Sequence, residues 1–106
     1  MTARKKTVRR PTGLPTEISV LGKKFTIEYT NDMNKDEYGE TDLELKKIKL
    51  NSNRPKHTWR ATLLHEVIHA ILGVTGQSNK MTDDEEEGLV VSLENGLEDL
   101  VDFKDF

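Results

Sequence analysis

The sequence contains no cysteine, which excludes a disulfide framework and any thiolate-based zinc site. Any metal must therefore be held by histidine and carboxylate side chains. Hydrophobic residues make up only 34% of the chain and charged residues 33%, so part of the chain is expected to be solvated rather than packed. A chain of 106 residues has room for one modest core, and one domain must carry both fold and site.

The sequence also lacks a long apolar run. Nothing in it approaches the roughly 20 apolar residues of a membrane-spanning helix, and the first ten residues lack the apolar stretch of a signal peptide. We therefore expect a cytoplasmic protein that does not enter a membrane, with a monomer as the default state.

The amino-terminal residues are basic instead of apolar. We interpret residues 1–15 as a basic, disordered leader and residues 16–106 as a single folded domain. An arm that binds nucleic acid is the alternative, but no aromatic residue precedes Phe25 to stack on a base, so nucleic acid is not the expected partner. The cations of the leader are Arg4, Lys5, Lys6, Arg9 and Arg10.

Alternating apolar and polar residues predict a small sheet after the leader. Residues 17–21 and 25–30 alternate in this way, and Gly22 and Lys23 between them predict the turn of an antiparallel hairpin. A second extended region, residues 38–50, changes its apolar phase near Lys46, which predicts a turn or bulge there. The expected fold class is α+β, with a small antiparallel β-meander followed by two main helices.

The first predicted helix starts after Pro55 and contains no helix-breaking residue until Gly73, which suits the position just past a helix end. Its apolar residues cover most of its circumference, so we expect it to be buried.

The second predicted helix begins at Thr82, because Thr82 and Glu85 have the spacing of a capping box. Apolar residues recur along it at intervals of three and four, and we expect this stripe to face the first helix. The stripe comprises Leu89, Val90, Leu93, Leu97, Leu100 and Val101, whereas Glu94, Glu98 and Asp102 are expected to face water.

His65, Glu66 and His69 form an HExxH motif in the middle of the first predicted helix. Residues four apart on a helix project side by side, so the two imidazoles can hold one zinc ion. Glu66 then lies beside the metal and can take a proton from the bound water. On an ordinary buried helix each of these polar side chains would cost about 1–3 kcal/mol without a partner, and a metal with its water supplies the partners.

A third metal ligand is expected, because catalytic zinc usually has three protein ligands and an open position for water. His57 lies about two turns before His65 and would have to bend back along the helix to reach the ion. Glu86 is in phase with the apolar stripe of the second helix and is the preferred ligand. Glu87, about 100° further round, is the second choice, and Glu85 is assigned to the cap.

Three residues are candidates for stabilising the negative charge that develops on a substrate carbonyl: Tyr38, His57 and Arg60. Each also has an ordinary structural interpretation, as a turn residue, an exposed residue near a helix start or a surface cation. The sequence leaves the choice among them open.

The segments TLLHEVIHAILG and DEEEGLVVSLENGL resemble the small phage and bacterial HExxH zinc metallopeptidases, sometimes described as minimal metallopeptidases. The resemblance covers residues 17–101 and extends more distantly to ImmA/IrrE-type peptidases. It implies a stripped-down zincin, gluzincin-like, over residues 16–106. It also implies Zn²⁺ held by His65, His69 and Glu86, with Glu66 as general base and a peptide or protein as substrate.

Two other functions stay open. Because the core is small, zinc binding could contribute to the free energy of folding. The chain could then be a zinc-stabilised binding or regulatory domain without turnover. It could also be associated with nucleic acid through its basic leader. A deformylase, which shares the HExxH motif, is disfavoured because that chemistry is usually associated with a cysteine ligand and the chain has none.

Overall fold

The structure, a computed structural model, describes residues 14–103 as a four-stranded sheet with two α-helices. This α+β content confirms the predicted fold class. None of the helices in this range combines the length and apolar character needed to cross a membrane. The strands are β1 (Glu17–Val20), β2 (Lys23–Thr30), β3 (Gly39–Asp42) and β4 (Lys47–Asn51), and the helices are α1 (Trp59–Val74) and α2 (Asp83–Leu97). Short 3₁₀ turns, Lys56–Thr58 and Gln77–Lys80, precede α1 and α2 respectively.

The sheet is mixed, so the predicted antiparallel meander is wrong. Its strand order is β1-β2-β4-β3, and β2 pairs with β4 in parallel while the outer pairs are antiparallel. Strand β4 lies between β2 and β3, and its Ile48 and Leu50 are both fully buried. Strand β3, with the polar sequence GETD, occupies an edge.

Both predicted turns are present in the sheet. The hairpin between β1 and β2 turns at Leu21 and Gly22, whose φ angles are 51° and 82°. The change of apolar phase near Lys46 marks the turn between β3 and β4, where Lys46 has a φ of 54°. Positive φ at these residues reverses the chain sharply, which accounts for the break in alternation.

The core lies between the sheet and α1, and it includes the beginning of the described chain. The Tyr29 hydroxyl donates a hydrogen bond to the Pro15 carbonyl at 2.6 Å, and the Tyr29 ring lies 5.8 Å from that of Trp59. Leu14 and Pro15 are both buried. Packing therefore includes at least the two residues before the predicted domain boundary, and the rest of the predicted leader, residues 1–13, lies outside the described residues.

Helix α1 continues past Gly73, which the sequence analysis placed after its end. The helix ends at Val74, and Gly76, with a φ of 82°, takes the left-handed position that follows it. Gly73 instead packs under the turn between β3 and β4, where an added Cβ would collide with the Leu43 side chain. This contact fixes the end of α1 against the edge of the sheet.

Helix α2 begins with the predicted capping box. The Glu85 backbone N–H donates to Thr82 Oγ1 at 3.1 Å, and the Thr82 N–H donates to Glu85 Oε1 at 2.9 Å. The Glu85 side chain is therefore used at the helix start, as expected from the sequence.

The inward face of α2 differs from the predicted apolar stripe. Val90 is its one buried residue, whereas the side chains of Leu89 and Leu93 are exposed. Glu94, expected to face water, is directed toward α1 and makes contact with it. The apolar pattern did not predict this face because two carboxylates belong to it. The face comprises residues spaced by three, four and three positions: Glu87, Val90, Glu94 and Leu97.

The loop between β2 and β3 is anchored by Asn51, which is fully buried. Its Nδ2 donates to the carbonyls of Asn34 at 3.0 Å and Glu37 at 2.7 Å, and its Oδ1 accepts from the Asn53 N–H at 2.9 Å. We expect Asn51→Asp to lower the free energy of unfolding by about 3 kcal/mol, because it removes both donated bonds and buries a charge against two carbonyl oxygens. Urea denaturation measures this loss.

Asn53→Asp is the matched control for this change. Its Nδ2 donates to the Asn31 carbonyl at 3.1 Å at an exposed position, so we expect it to cost no more than about 1 kcal/mol. Equal losses in the two variants would contradict the anchoring role of Asn51.

Candidate metal centre and its cavity

The HExxH residues occupy the middle of α1, on the side that faces α2 and β3. The ring centroids of His65 and His69 are 5.0 Å apart, and both side chains are about four-fifths buried. The Glu66 residue is buried. The two imidazoles therefore lie side by side, as the four-residue spacing predicts.

Glu87 of α2 contacts the Nε2 atom of each of the two histidine rings. Its Oε2 lies 3.2 Å from His65 Nε2, and its Oε1 lies 3.1 Å from His69 Nε2. One ligand atom from each of these three residues falls within 4.8 Å of the others, so the group could hold a metal ion.

The second nitrogen of each ring is also held by a carboxylate of α2. His65 Nδ1 lies 2.8 Å from Glu94 Oε1, and His69 Nδ1 lies 2.6 Å from Glu86 Oε2. A carboxylate at Nδ1 fixes the ring orientation and keeps the proton there, which leaves the Nε2 lone pair for a metal. These contacts prepare both Nε2 atoms as ligands.

Glu86, the third ligand preferred from the sequence, lies on the outer side of His69. The group of described residues that could hold an ion contains Glu87 in its place. Glu86 is in phase with the predicted apolar stripe, which contains Leu89, Val90 and Leu93, and of these three only Val90 is buried. The helix is turned by about one residue from the predicted orientation, which brings the second choice, Glu87, to the inner position.

Glu94 is a site residue that the sequence analysis missed. It lies seven residues, or about two turns, beyond Glu87 and therefore on the same face of α2. The signal that could have identified it is the alignment of two carboxylates with Val90 and Leu97 at heptad spacing. A pattern of apolar residues alone does not reveal this face, because two of its four residues are glutamates.

Hydrogen bonds shift the pKa values of His69 and Glu86 in opposite directions. Partial burial alone lowers the pKa of His69, but the bond to Glu86, the charge of Glu66 and the bond to Glu87 outweigh it and raise that pKa. The bond to His69 lowers the pKa of Glu86 against the opposing effect of burial. The surroundings thus favour positive charge at the His69 ring, which a proton or a metal cation can supply.

Burial raises the pKa of Glu66, although the hydrogen bond from Thr41 and the nearby charges of the two histidines oppose this. Thr41 Oγ1 lies 2.7 Å from Glu66 Oε1 and 2.9 Å from the Glu66 carbonyl oxygen. A carboxylate whose pKa is raised takes up a proton more readily than an ordinary one, and it can return that proton. No pattern in the sequence pointed to Thr41, since this contact depends on the position of β3.

Gly39, the first residue of β3, allows the strand to lie directly against α1. A Cβ at this position would come within 2.8 Å of Thr62 Cγ2, 3.0 Å of the Lys49 carbonyl oxygen and 3.2 Å of Glu66 Cγ. The absent side chain therefore brings Thr41, two residues later, within hydrogen-bonding distance of Glu66.

A cavity of about 860 Å³ opens beside the histidines, between β3, the first half of α1 and the acidic face of α2. This volume lies within the usual range of roughly 300–1,000 Å³ for ligand-binding cavities. Its lining includes both histidines of the motif and Tyr38, Gly39, Thr41, His57, Glu66 and Glu87.

The three candidates for oxyanion stabilisation have different surroundings. Tyr38 and His57 line the cavity. Arg60 Nη2 donates to the Glu98 carbonyl at 2.8 Å and to the Val101 carbonyl, so this cation caps the carboxyl-terminal end of α2. Arg60 is therefore engaged away from the cavity.

Comparison with protein-family models, with curated proteins and with solved structures finds no match for this chain. The resemblance to the minimal metallopeptidases thus stays an expectation from the sequence.

Proposed function

We propose that this protein is a zinc-dependent peptidase of the zincin type. His65, His69 and Glu87 would hold Zn²⁺, and Glu66 would act as the general base. The observation that carries the proposal is the meeting of both histidine Nε2 atoms at one carboxylate, at 3.2 and 3.1 Å, while each Nδ1 is held by another carboxylate. We also propose, from the sequence, that it acts in the cytoplasm.

The donor set fits zinc. Two imidazole nitrogens and one carboxylate form a common ligand set of zinc hydrolases, whereas magnesium and calcium prefer oxygen ligands alone. A zinc ion bound here would lower the pKa of a water molecule and polarise a substrate carbonyl.

Glu66 supplies the proton transfers. Thr41 holds its Oε1 at 2.7 Å, which leaves Oε2 to accept a proton from the attacking water. Burial raises the pKa of Glu66, so the carboxylic acid formed can then deliver its proton to the leaving amine. Thr41 keeps the carboxylate aimed during both transfers.

A peptide is the substrate that best suits the cavity wall. Strand β3 has β4 as its one neighbouring strand within residues 14–103, and its Gly39 and Thr41 line the cavity. An extended peptide could pair with the free edge of β3, with backbone hydrogen bonds holding a scissile bond near the histidines.

A zinc-stabilised domain without turnover is the second candidate. It is favoured by the small buried surface of α2, whose one buried residue is Val90, because zinc would then tie α2 to α1. Two features favour catalysis over this candidate. Structural zinc sites are usually closed by four protein ligands, whereas three residues meet here beside an open cavity. Glu66 is also aimed by Thr41, although the ion does not need it as a ligand.

Removal and return of the metal tests the proposal. We expect one zinc per chain and cleavage within an unbiased peptide mixture, which mass spectrometry detects. Chelation should abolish cleavage, and one equivalent of zinc should restore it, whereas Mg²⁺ should not. Zinc binding by a folded chain without any cleavage would contradict the peptidase and favour the structural candidate.

A further inference from the structure

We infer that Tyr38 is the catalytic residue that donates a hydrogen bond to the substrate carbonyl oxygen as negative charge develops on it. The inference rests on the proposed peptidase function. Tyr38 directly precedes β3, lines the cavity and is 45% exposed. Tyr38 is therefore accessible from that cavity.

The Tyr38 hydroxyl accepts one hydrogen bond and keeps its own proton free. Arg54 Nη2 donates to Tyr38 Oη, and the guanidinium carbon of Arg54 lies 4.0 Å from the centroid of the Tyr38 ring. A guanidinium group has donors and no acceptor, so the phenol proton cannot be used in this contact. Among residues 14–103 the phenol proton has no acceptor.

Arg54 fixes the phenol and makes it a better donor. Its Nη1 donates to the Lys35 carbonyl at 3.0 Å, so the guanidinium is held by the loop that carries Tyr38. A hydroxyl that accepts from a cation is polarised and donates more strongly. Arg54 thus acts as a positioning residue for the free proton of Tyr38.

The backbone of Tyr38 adjoins the point where β3 comes closest to the general base. Its neighbour Gly39 approaches α1 so closely that an added Cβ would lie 3.2 Å from Glu66 Cγ. Tyr38, Glu66 and the two histidines all line the same cavity. A carbonyl bound there can meet the phenol while Glu66 faces the attacking water.

The step balances without a further reactant. The water oxygen forms a bond to the carbonyl carbon, the π electron pair of the carbonyl moves onto its oxygen, and Glu66 takes the water proton. Tyr38 donates a hydrogen bond to the new oxyanion and retains its own proton.

The other two candidates are less suited to this role. Arg60 is engaged with the carbonyls at the end of α2. His57 lines the cavity, but its side chain makes no hydrogen bond to any residue that the structure describes, so nothing aims its ring. Only Tyr38 combines a free proton with a partner that fixes its position.

The chain contains two tyrosines, which provides a matched pair of variants. With a peptide that the zinc-loaded protein cleaves, Tyr38→Phe should lower kcat by about 10²–10³-fold with little change in KM, and zinc content should stay the same. Tyr29→Phe removes a buried hydroxyl that bonds to Pro15 and should leave kcat unchanged. Retention of kcat within threefold in Tyr38→Phe, or its loss in His57→Gln instead, would overturn the assignment.

A spectroscopic readout separates this inference from the peptidase proposal. In full-length protein labelled with ¹³Cζ-tyrosine, methylphosphonate added to the zinc-loaded form should shift the Tyr38 resonance and leave the Tyr29 resonance in place. Its affinity should fall about tenfold in Tyr38→Phe, and equal affinity there would count against the inference. Failure of the peptidase proposal looks different, since wild type would then be as inactive as Glu66→Gln.

Discussion

Glu66→Gln is expected to lower kcat by about 10³-fold and to leave one zinc bound per chain. The amide has nearly the same size as the carboxylate and can keep the hydrogen bond from Thr41 at its oxygen, but it cannot take up the proton of the attacking water. Because Glu66 is not a member of the group that could hold the ion, metal binding should persist. Steady-state cleavage and elemental analysis of the same preparation measure the two quantities together.

Glu28→Gln is a suitable control for the loss of one carboxylate. Glu28 pairs with Lys47 at 3.2 Å on the sheet and is absent from the cavity lining, so this variant should retain both turnover and zinc. If Glu66→Gln cleaved peptide at the wild-type rate, Glu66 would not be the base. If it lost zinc, the carboxylate would have to be reassigned as a ligand.

Zinc affinity should distinguish Glu87 from Glu86. We expect Glu87→Gln to weaken binding by more than 100-fold, because its carboxylate meets both Nε2 atoms. Glu86→Gln and Glu94→Gln should weaken it by about 10–100-fold, the usual effect of losing a partner that orients a ligating histidine. All three changes remove one charge and keep the side-chain length, so they differ only in position.

Competition with a chromophoric chelator measures these affinities on the folded chain. Circular dichroism of each variant should accompany it, since α2 has to remain helical for the comparison to hold. The reverse order, with Glu86→Gln the weakest binder, would restore Glu86 as the third ligand that the sequence favoured.

Short-range spacing was sufficient to predict the motif and the start of α2. His65 and His69 are brought together by the helical repeat alone, and the capping box depends on Thr82 and Glu85, three residues apart. Such features need no knowledge of distant packing. The helix, its two histidines and the cap were therefore predictable from local sequence.

Features that depend on packing between distant segments were not predictable in this way. The parallel pairing of β2 with β4 joins strands that are distant in sequence, and the alternation of buried and partly exposed residues along β4 does not reveal which strand is its neighbour. The predicted inward face of α2 was wrong, because apolar periodicity was taken to mark the inside, and the choice between Glu86 and Glu87 as the third ligand stays a prediction. Thr41 reaches Glu66 only because Gly39 has no side chain.

The composition of the inner face of α2 has a consequence for the lifetime of the folded chain. Val90 is its one buried side chain. The other attachments to α1 include the contacts of Glu87 with both Nε2 atoms at the proposed zinc position, the carboxylate contacts at each Nδ1, and the Arg60 bonds at the end of the helix. Release of the ion and local opening of α2 should then be one coupled event. Each tenfold increase in the concentration of free zinc above its dissociation constant stabilises the closed state by about 1.4 kcal/mol more. The supply of zinc would thus set how often this helix exposes its backbone amides to hydrogen exchange.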